Sequence, residues 1–142
     1  MKISACIIAK NESLNIERCL ESLKNAADEI IVADTGSTDD TIRIAESYGA
    51  RVFHYEWDNN FSNAKNYALD RATGDWIIFL DADEYLEQTA RTKLPQVLRL
   101  IHPVKAHNAV RCRMIQTDGY KGRVIGENPT IRIFRNDKSV RY

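Results

Sequence analysis

The fold is decided by one stretch of the sequence, Trp76-Ile77-Ile78-Phe79-Leu80-Asp81-Ala82-Asp83-Glu84, in which a short apolar run ends in three acids. A short continuous apolar run is typical of a strand that is buried on both faces of a parallel sheet. Ligands of open α/β sheets bind beyond the carboxyl ends of the strands. The stretch therefore predicts a buried strand that delivers carboxylates to a ligand-binding edge.

Asp81 and Asp83 have two interpretations when this tripeptide is considered alone. Neighbouring carboxylates repel each other unless a cation neutralises them, and carboxylate oxygens suit Mg²⁺ or Mn²⁺ bound together with substrate phosphates. Acids are also common in solvated turns and in the first turns of helices, where they bind no ligand. Two other predicted strand ends, Ala9-Lys10-Asn11-Glu12 and Asp34-Thr35-Gly36-Ser37, bring further acids to the same edge.

Strands alternate with helices on the N-terminal side of this stretch. Apolar runs predict strands over residues 3–9, 29–34 and 50–55, and helical periodicity predicts helices over residues 14–23, 39–48 and 62–72. Thr38 is the predicted N-cap of the second helix, and Gly49 is its predicted C-terminal glycine. Such alternation implies βαβ units and a parallel sheet, which is a Rossmann-like α/β fold through residue 86.

The pattern changes after residue 88. Residues 89–101 look helical, with Pro95 starting a second helix, and residues 109–115 and 130–134 are predicted strands that add to the sheet in antiparallel fashion. Residues 1–88 carry 8 Lys and Arg against 17 Asp and Glu, a net charge of −9, whereas residues 89–142 carry 12 against 3, a net charge of +9. No repeat or Gly/Ser linker separates the two parts, so we interpret residues 1–142 as a single domain.

Composition and missing motifs exclude several classes of protein. The 142 residues contain 20 Lys and Arg and 20 Asp and Glu, so net charge gives no reason to expect nucleic-acid binding. No apolar run reaches the roughly 18 residues of a membrane span. Three cysteines without CxxC spacing argue against a disulfide framework or a zinc site, and we expect a cytoplasmic protein. The absence of GxGxxG, GxxxxGK[ST] and GxSxG argues against a Rossmann dinucleotide site, a P-loop and a hydrolase elbow.

Four motifs stand in order along the chain: Ala9-Lys10-Asn11-Glu12, Asp34-Thr35-Gly36-Ser37-Thr38-Asp39-x-Thr41, Trp57-x-Asn59-x-Phe61-Ser62-x-Ala64-Lys65-Asn66 and Leu80-Asp81-Ala82-Asp83-Glu84. Together they resemble family 2 of the glycosyltransferases, which invert the anomeric centre, and are most similar to bacterial members that build surface polysaccharides or lipopolysaccharide cores. The resemblance covers residues 1–90 closely and residues 109–142 more loosely. It implies a GT-A fold, with a mainly parallel sheet, helices on both faces and an incomplete C-terminal part. Residues 1–88 would be its nucleotide-binding part, and residues 89–142 the start of its acceptor-side part.

The resemblance assigns the first loops to the nucleotide. It places Glu12 near the ribose, with Ala9 and Asn11 close by, although helix capping is an alternative and compatible role for Asn11 and Glu12. It places Asp34 on the imide edge of the base; because uracil has an N3–H that cytosine lacks, a carboxylate there favours a uracil or thymine base. Gly36 lets the backbone turn close to the ligand.

The resemblance assigns the later motifs to the diphosphate. Lys65 would reach the base or a phosphate, with a solvated lysine as the alternative. Asp81 and Ala82 would lie at the ribose or at the water shell of the metal, and Asp83 would bind Mg²⁺ or Mn²⁺ between the diphosphate oxygens. The metal would then stabilise the leaving nucleoside diphosphate. Trp57 and Phe61 are predicted to belong to the core.

Inverting transfer also needs a general base for the acceptor hydroxyl. In the family this acid follows a stretch like Asn128-Pro129-x-x-Arg132-x-Phe134-Arg135, and the sequence ends at Tyr142. The acids after residue 88 match no base motif: Asp118, Glu127 and Asp137. We therefore expect the base beyond Tyr142, a chain that binds nucleotide but transfers sugar slowly, and self-association through the exposed sheet edge.

Three functions are carried forward from the sequence. The first is transfer of a sugar from a UDP-sugar to a glycan or lipid-linked acceptor; the alternatives are a nucleotide-binding fragment without turnover and a sugar-nucleotide pyrophosphorylase. The pyrophosphorylases carry a loop rich in Gly and Arg after the first strand, which residues 10–13 do not resemble. The basic segment 89–142 is interpreted as a solvated surface, with Arg111 and Arg113 on the wet face of a strand. The alternative is a patch for an anionic acceptor or for the inner face of the cell membrane.

Overall fold

The fold is built around a single six-stranded sheet. The computed structural model describes residues 1–118 and 122–142, and these form six strands and four helices in the following order: β1 (Ile3–Ala9), α1 (Ile16–Leu23), β2 (Glu29–Asp34), α2 (Thr41–Ser47), β3 (Arg51–His54), α3 (Phe61–Leu69), β4 (Trp76–Asp81), α4 (Gln88–Ile101), β5 (Ala109–Thr117) and β6 (Val124–Arg135). None of the four described helices is long and apolar enough to cross a membrane.

The sheet has the strand order β3-β2-β1-β4-β6-β5. Strands β1 to β4 are parallel, β6 is antiparallel to β4, and β5 is antiparallel to β6. The chain winds outward from β1 to β3 and then returns to place β4 on the other side of β1, so the order reverses between β1 and β4. Such a reversal is where ligands bind in doubly wound sheets. The predicted Rossmann-like sheet, with antiparallel additions after residue 88, is confirmed.

Apolar residues of the central strands alternate between two cores. On one face Ile7 and Ile78 pack with Leu20 of α1 and Leu98 of α4, together with α2. On the other face the core is built from β1, β2, β4 and β6 against α3, with the buried members Cys6, Ile31, Ala33, Ala68, Leu69, Ile77, Phe79 and Phe134. Because a strand points successive side chains to opposite faces, the continuous apolar run of β4 supplies both cores. The predicted arrangement of helices on both faces is confirmed.

The cysteines of β1 and α1 behave as small apolar residues. Cys6 and Cys19 are buried, and burial is the main reason that the pKa of each thiol rises to about 12. A thiol that stays protonated is a poor nucleophile and a poor metal ligand.

The first two helices begin later than predicted. Leu14 was expected on the apolar face of α1, but it lies in the preceding turn with 96% of its surface exposed. The second helix starts at Thr41 and not at Asp39, since the Asp39 carboxylate accepts the backbone N–H of Thr41 at 3.0 Å and that of Ser13 at 3.1 Å. Asp39 therefore supports the helix start from outside the helix and ties it to the loop after β1.

Pro95 lies inside one continuous helix, so the predicted second helix is wrong. Proline has no N–H for the carbonyl four residues earlier, which weakens a helix without necessarily ending it. Leu94 and Leu98 lie one turn apart and are buried against the sheet, and their packing holds the helix together across the proline.

Candidate active site at the carboxyl edge

The register of the sheet brings three strand ends together. Ala9 of β1 lies opposite Asp34 of β2, and Ile8 lies opposite Asp81 of β4. The predicted site residues that follow these strands therefore share one edge, at the point where the strand order reverses. Within the described residues they form two clusters, one around Asp34 and one around Asp81, with no hydrogen bond or ion pair between the two aspartates.

Asn11 connects the loop after β1 to the loop after β2. Its side-chain Oδ1 accepts the N–H of Thr38 at 2.8 Å, and its own N–H donates to Ser37 Oγ at 2.9 Å. Its φ of 55° lies in the left-handed region, which asparagine tolerates better than most residues. Asn11 thus fixes the relative position of two loops that border the edge.

Glu12 lies in the turn before α1, whose N-cap is Asn15, and its side chain does not cap the helix. Its carbonyl accepts the N–H groups of Asn15 and Ile16, both at 2.9 Å, and its carboxylate accepts the side-chain amide of Asn15. Its own N–H donates to Thr41 Oγ1 at 2.8 Å, so it also contacts the start of α2. A contact between Glu12 and a ribose remains a prediction.

Asp34 is buried at the end of β2, with 2% of its surface exposed. Its carboxylate accepts the N–H groups of Gly36 and Ser37, each at 3.1 Å, and lies 3.9 Å from His54 Nδ1. Gly36 has a φ of 104°, a conformation that residues with a Cβ rarely adopt. The carboxylate therefore holds residues 35–37 in a tight loop at the carboxyl edge of the sheet.

Asp81 lies between two cations. Arg132 of β6 donates to its Oδ2 at 3.0 Å, and Lys65 Nζ of α3 is 3.7 Å from its Oδ1. The same guanidinium contacts the carboxylate of Glu84, and burial is the main reason that the pKa of Glu84 is raised. The charge on Asp81 is thus neutralised by the protein itself.

Lys65 is not a solvated lysine, since only 16% of its side chain is exposed. Its Nζ lies 5.2 Å from the centroid of the Phe79 ring and 4.7 Å from that of the Tyr142 ring. Asn66 fixes Tyr142 by accepting its backbone N–H at 3.0 Å, and burial raises the pKa of this tyrosine to about 12. The ammonium group is therefore held beside Asp81 by aromatic rings on two sides.

Asp83 differs from its neighbours. Its side chain is exposed and makes no hydrogen bond or ion pair with any described residue, whereas Ala82 beside it is buried. No group of three or more His, Cys, Asp or Glu residues in the described part of the chain could hold a metal ion. One unpaired carboxylate fits a Mg²⁺ or Mn²⁺ ion that takes its other ligands from a diphosphate and water, which is the usual way such ions bind.

The sequence analysis did not assign Arg132, Glu84 or Tyr142 to the site. Arg132 was visible as a charged residue between Ile131 and Ile133 in a predicted strand, but only the pairing of β6 with β4 shows that it reaches Asp81. Phe61 was predicted to be core, which is wrong. Its ring is 64% exposed and packs edge-on against half-buried Trp57, with centroids 4.8 Å apart.

Comparisons with known proteins agree with this architecture. Residues 4–139 match the family model described as glycosyl transferase family 2. A TPR repeat-containing protein of Synechococcus elongatus is 39% identical over 141 residues, which are 99% of this chain and 33% of that protein. An uncharacterized glycosyltransferase of Rickettsia bellii is 45% identical over 96 residues, which are 68% of this chain and 32% of that protein. The chain therefore spans about a third of the length of these relatives.

Two solved structures share the GT-A fold. Residues 1–349 of Staphylococcus aureus TarS, in complex with UDP-GlcNAc, superpose with a TM-score of 0.66 and 26% identity over 89% of this chain and 37% of that chain. Glucosyl-3-phosphoglycerate synthase of Mycobacterium tuberculosis, in complex with Mn²⁺, UDP and glucosyl-3-phosphoglycerate, gives a TM-score of 0.61 and 26% identity, covering 78% of this chain and 43% of that chain.

Proposed function

This chain belongs to glycosyl transferase family 2, and we propose that it binds the UDP-sugar donor of an inverting glycosyl transfer with the help of Mg²⁺ or Mn²⁺. The acceptor in this proposal is a glycan or a lipid-linked sugar. One observation carries the proposal: Asp83 is an exposed carboxylate without a partner in the described structure, at the reversal point of the sheet. The complexes of similar proteins with UDP-GlcNAc and with UDP and Mn²⁺ support it.

The two aspartates after β4 take different roles in this proposal. Asp83 ligates the metal, because it is exposed and unpaired, whereas Asp81 stays paired with Arg132 and Lys65 and faces the ribose, next to Ala82. When bound, the metal supplies positive charge that stabilises the leaving diphosphate. Lys65 is already beside Asp81, where it also contributes positive charge toward the phosphates.

The first two loops hold the nucleoside in this proposal. Asp34 accepts the imide N3–H of uracil after residues 35–37 move, since a carboxylate has lone pairs left after its two bonds to Gly36 and Ser37. Gly36 allows the backbone to approach the ligand. Ala9, Asn11 and Glu12 border the ribose, with Asn11 holding the two loops in register.

In the transfer step, the acceptor oxygen forms a bond to the anomeric carbon while the bond from that carbon to the UDP oxygen breaks. UDP leaves with the electron pair, and a general base takes the acceptor proton. Asp118, Glu127 and Asp137 match no base motif of the family, so we propose that the base comes from outside these 142 residues. Residues 1–142 alone then bind UDP but release it slowly from a UDP-sugar, because a missing base typically lowers the rate about 10²–10⁴-fold.

The remaining parts of the proposal concern the acceptor side and location. Arg111 and Arg113 are exposed on β5, and Arg113 lies 3.7 Å from Glu127, which supports a solvated surface. Ile115, Val124, Ile125 and Ile131 are exposed on the β5–β6 hairpin, and this apolar surface favours self-association. We place the protein in the cytoplasm, and at the inner face of the membrane when the acceptor is lipid-linked.

Calorimetric titration with UDP tests the donor assignment. We expect UDP to bind more tightly with Mn²⁺ than with a chelator, and Asp83→Asn to remove this difference while melting at the wild-type temperature. Glu87→Gln is the matched control, since Glu87 is an exposed acid four residues further on. Metal-dependent affinity that survives in Asp83→Asn would exclude the proposed ligand. UDP release with and without acceptor, measured on the same preparation, separates a slow transferase from a module that only binds.

A further inference from the structure

We propose that Arg132 of β6 is a positioning residue that sets how strongly metal and nucleotide binding are coupled, because it holds the Asp81–Glu84 turn closed. The inference rests on the proposed function and deepens it, since it concerns the turn that carries Asp83. Neither the sequence motifs nor the family comparison assigns Arg132 to the site.

The turn after β4 is closed by two hydrogen bonds between Asp81 and Glu84 and by the guanidinium of Arg132. The N–H of Glu84 donates to the carbonyl of Asp81 at 2.9 Å, and the N–H of Asp81 donates to Glu84 Oε2 at 3.0 Å. Arg132 then bridges the two carboxylates, because its NH2 group donates to Asp81 Oδ2 at 3.0 Å and contacts Glu84 Oε1. Asp83 lies inside this ring of contacts, so its direction depends on the ring staying closed.

Removing the guanidinium leaves two carboxylates on one short turn with no charge between them. The Glu84 side chain is 17% exposed and the Asp81 side chain is 38% exposed, so solvent screens their repulsion only in part. Lys65 cannot replace Arg132, because it faces the other oxygen of Asp81 and is 3.7 Å away. The repulsion is then relieved by opening the turn, which moves Asp83.

The contacts of Arg132 are also not those of a residue that only stabilises the fold. Its Nε–H is buried and has no hydrogen-bond partner among residues 1–118 and 122–142. A buried donor without a partner destabilises the fold, and an apolar residue in its place avoids this loss. The bridging guanidinium therefore fits a role in orienting carboxylates better than a role in packing.

The backbone that positions Arg132 belongs to residues 89–142, the acceptor-side part of the chain. Arg132 precedes Ile133, which is buried in the core and lies opposite Ile78 of β4. The backbone at Arg132 is thus fixed to β4, the strand that carries Asp81. Partners that hold a metal-binding carboxylate in place typically change metal affinity 10–100-fold when they are removed.

The test compares UDP affinity with and without Mn²⁺, because the ratio of the two affinities measures coupling and is insensitive to general loss of folded protein. We expect Arg132→Met to lower this ratio about 10–100-fold, with the metal-free UDP affinity changed less than about threefold. Adding Glu84→Gln to Arg132→Met removes the repulsion and restores part of the ratio. Arg135→Met is the matched control, since Arg135 lies on the same strand and is equally half-buried but contacts His102, Val104 and His107 instead.

Arg132→Lys keeps the test decisive when Arg132→Met unfolds. Both contacts of Arg132 come from one nitrogen, and a lysine ammonium keeps the positive charge and three N–H donors on a different, more flexible stem, so we expect an intermediate loss of coupling, about 3–10-fold. A wild-type coupling ratio in the folded Arg132 variants, beside a wild-type chain that does bind UDP with Mn²⁺, overturns this inference alone. Absence of Mn²⁺-dependent UDP binding in the wild-type chain overturns the proposed function and this inference together.

Discussion

Glu29 gives the sharpest prediction about stability, because it is a shielded carboxylate at the edge of the sheet opposite the candidate site. Its carboxylate accepts the N–H of Thr73 at 2.7 Å and the ammonium of Lys2 at 3.0 Å, and it also bonds to Ser4. Only 11% of its side chain is exposed. Burial opposes the charged form, but these hydrogen bonds outweigh it and lower the pKa of Glu29 from 4.5 to about 2.

The depressed pKa sets both the size and the pH range of the effect. One pKa unit corresponds to about 1.4 kcal/mol, so a fall from 4.5 to about 2 corresponds to at most about 3 kcal/mol. Solvent screening of Lys2, whose side chain is 44% exposed, lowers this to about 1–2 kcal/mol. Because the pKa in the folded state is the lower one, the stabilisation is fully present above pH 4.5 and is lost as the pH falls toward 2.

Urea unfolding of the wild-type chain and of Glu29→Gln tests this account. At pH 7 we expect the variant to unfold with a free energy about 1–2 kcal/mol lower than that of the wild type, and we expect the gap to shrink between pH 4.5 and pH 2. Glu46→Gln is the matched control, since Glu46 is an exposed glutamate on α2, and it should show no gap at any pH. A gap for Glu29→Gln that does not change with pH refutes the reasoning.

Four further substitutions probe the loop after β2, the packing of the sheet and the exposed aromatic residue. The wild-type chain should bind UDP at least about tenfold more tightly than CDP, and Asp34→Ala should erase most of this preference, since a hydrogen bond to a charged group contributes about 1.5–3 kcal/mol. Equal calorimetric affinities of the wild-type chain for UDP and CDP contradict the contact between Asp34 and the imide N–H. Gly74→Ala should destabilise the chain by about 1–3 kcal/mol in urea unfolding, because its Cβ would lie 2.5 Å from Ser4 Oγ and 2.7 Å from Ser4 N. A stability equal to wild type contradicts the close approach of Gly74 to Ser4 of β1. Phe79→Ala should lower the free energy of unfolding by about 3–5 kcal/mol and Phe61→Ala by less than about 0.5 kcal/mol, since the Phe79 ring is buried and the Phe61 ring is exposed. Similar losses for the two variants contradict this difference in burial.

The sequence allowed the sheet and its edge to be predicted because both depend on local patterns. The run from Trp76 to Leu80 is apolar at every position, and all three strands that meet at the edge have an acid at or just after their ends. Burial on two faces and the direction of parallel strands then bring Asp34 and Asp81 to one side. These inferences need only the periodicity and order of the elements.

Contacts between distant segments were not predictable in the same way. The bond from Arg132 to Asp81 spans 51 residues and requires the register of an antiparallel strand, which the periodicity of Ile131 and Ile133 does not give. The start of α2 depends on the Asp39 carboxylate, a side-chain contact that competes with the cap predicted at Thr38. Pro95 remains helical because tertiary packing of its neighbours outweighs its local effect.

The central claim is that this edge of the sheet binds UDP and a divalent metal through Asp83. A crystal grown with UDP and Mn²⁺, measured at the manganese absorption edge, tests it most directly. The account predicts an anomalous peak between the Asp83 carboxylate and the diphosphate, with the uracil against Asp34 and Arg132 still bridging Asp81 and Glu84. A manganese peak away from Asp83, or UDP bound elsewhere on the chain, contradicts it.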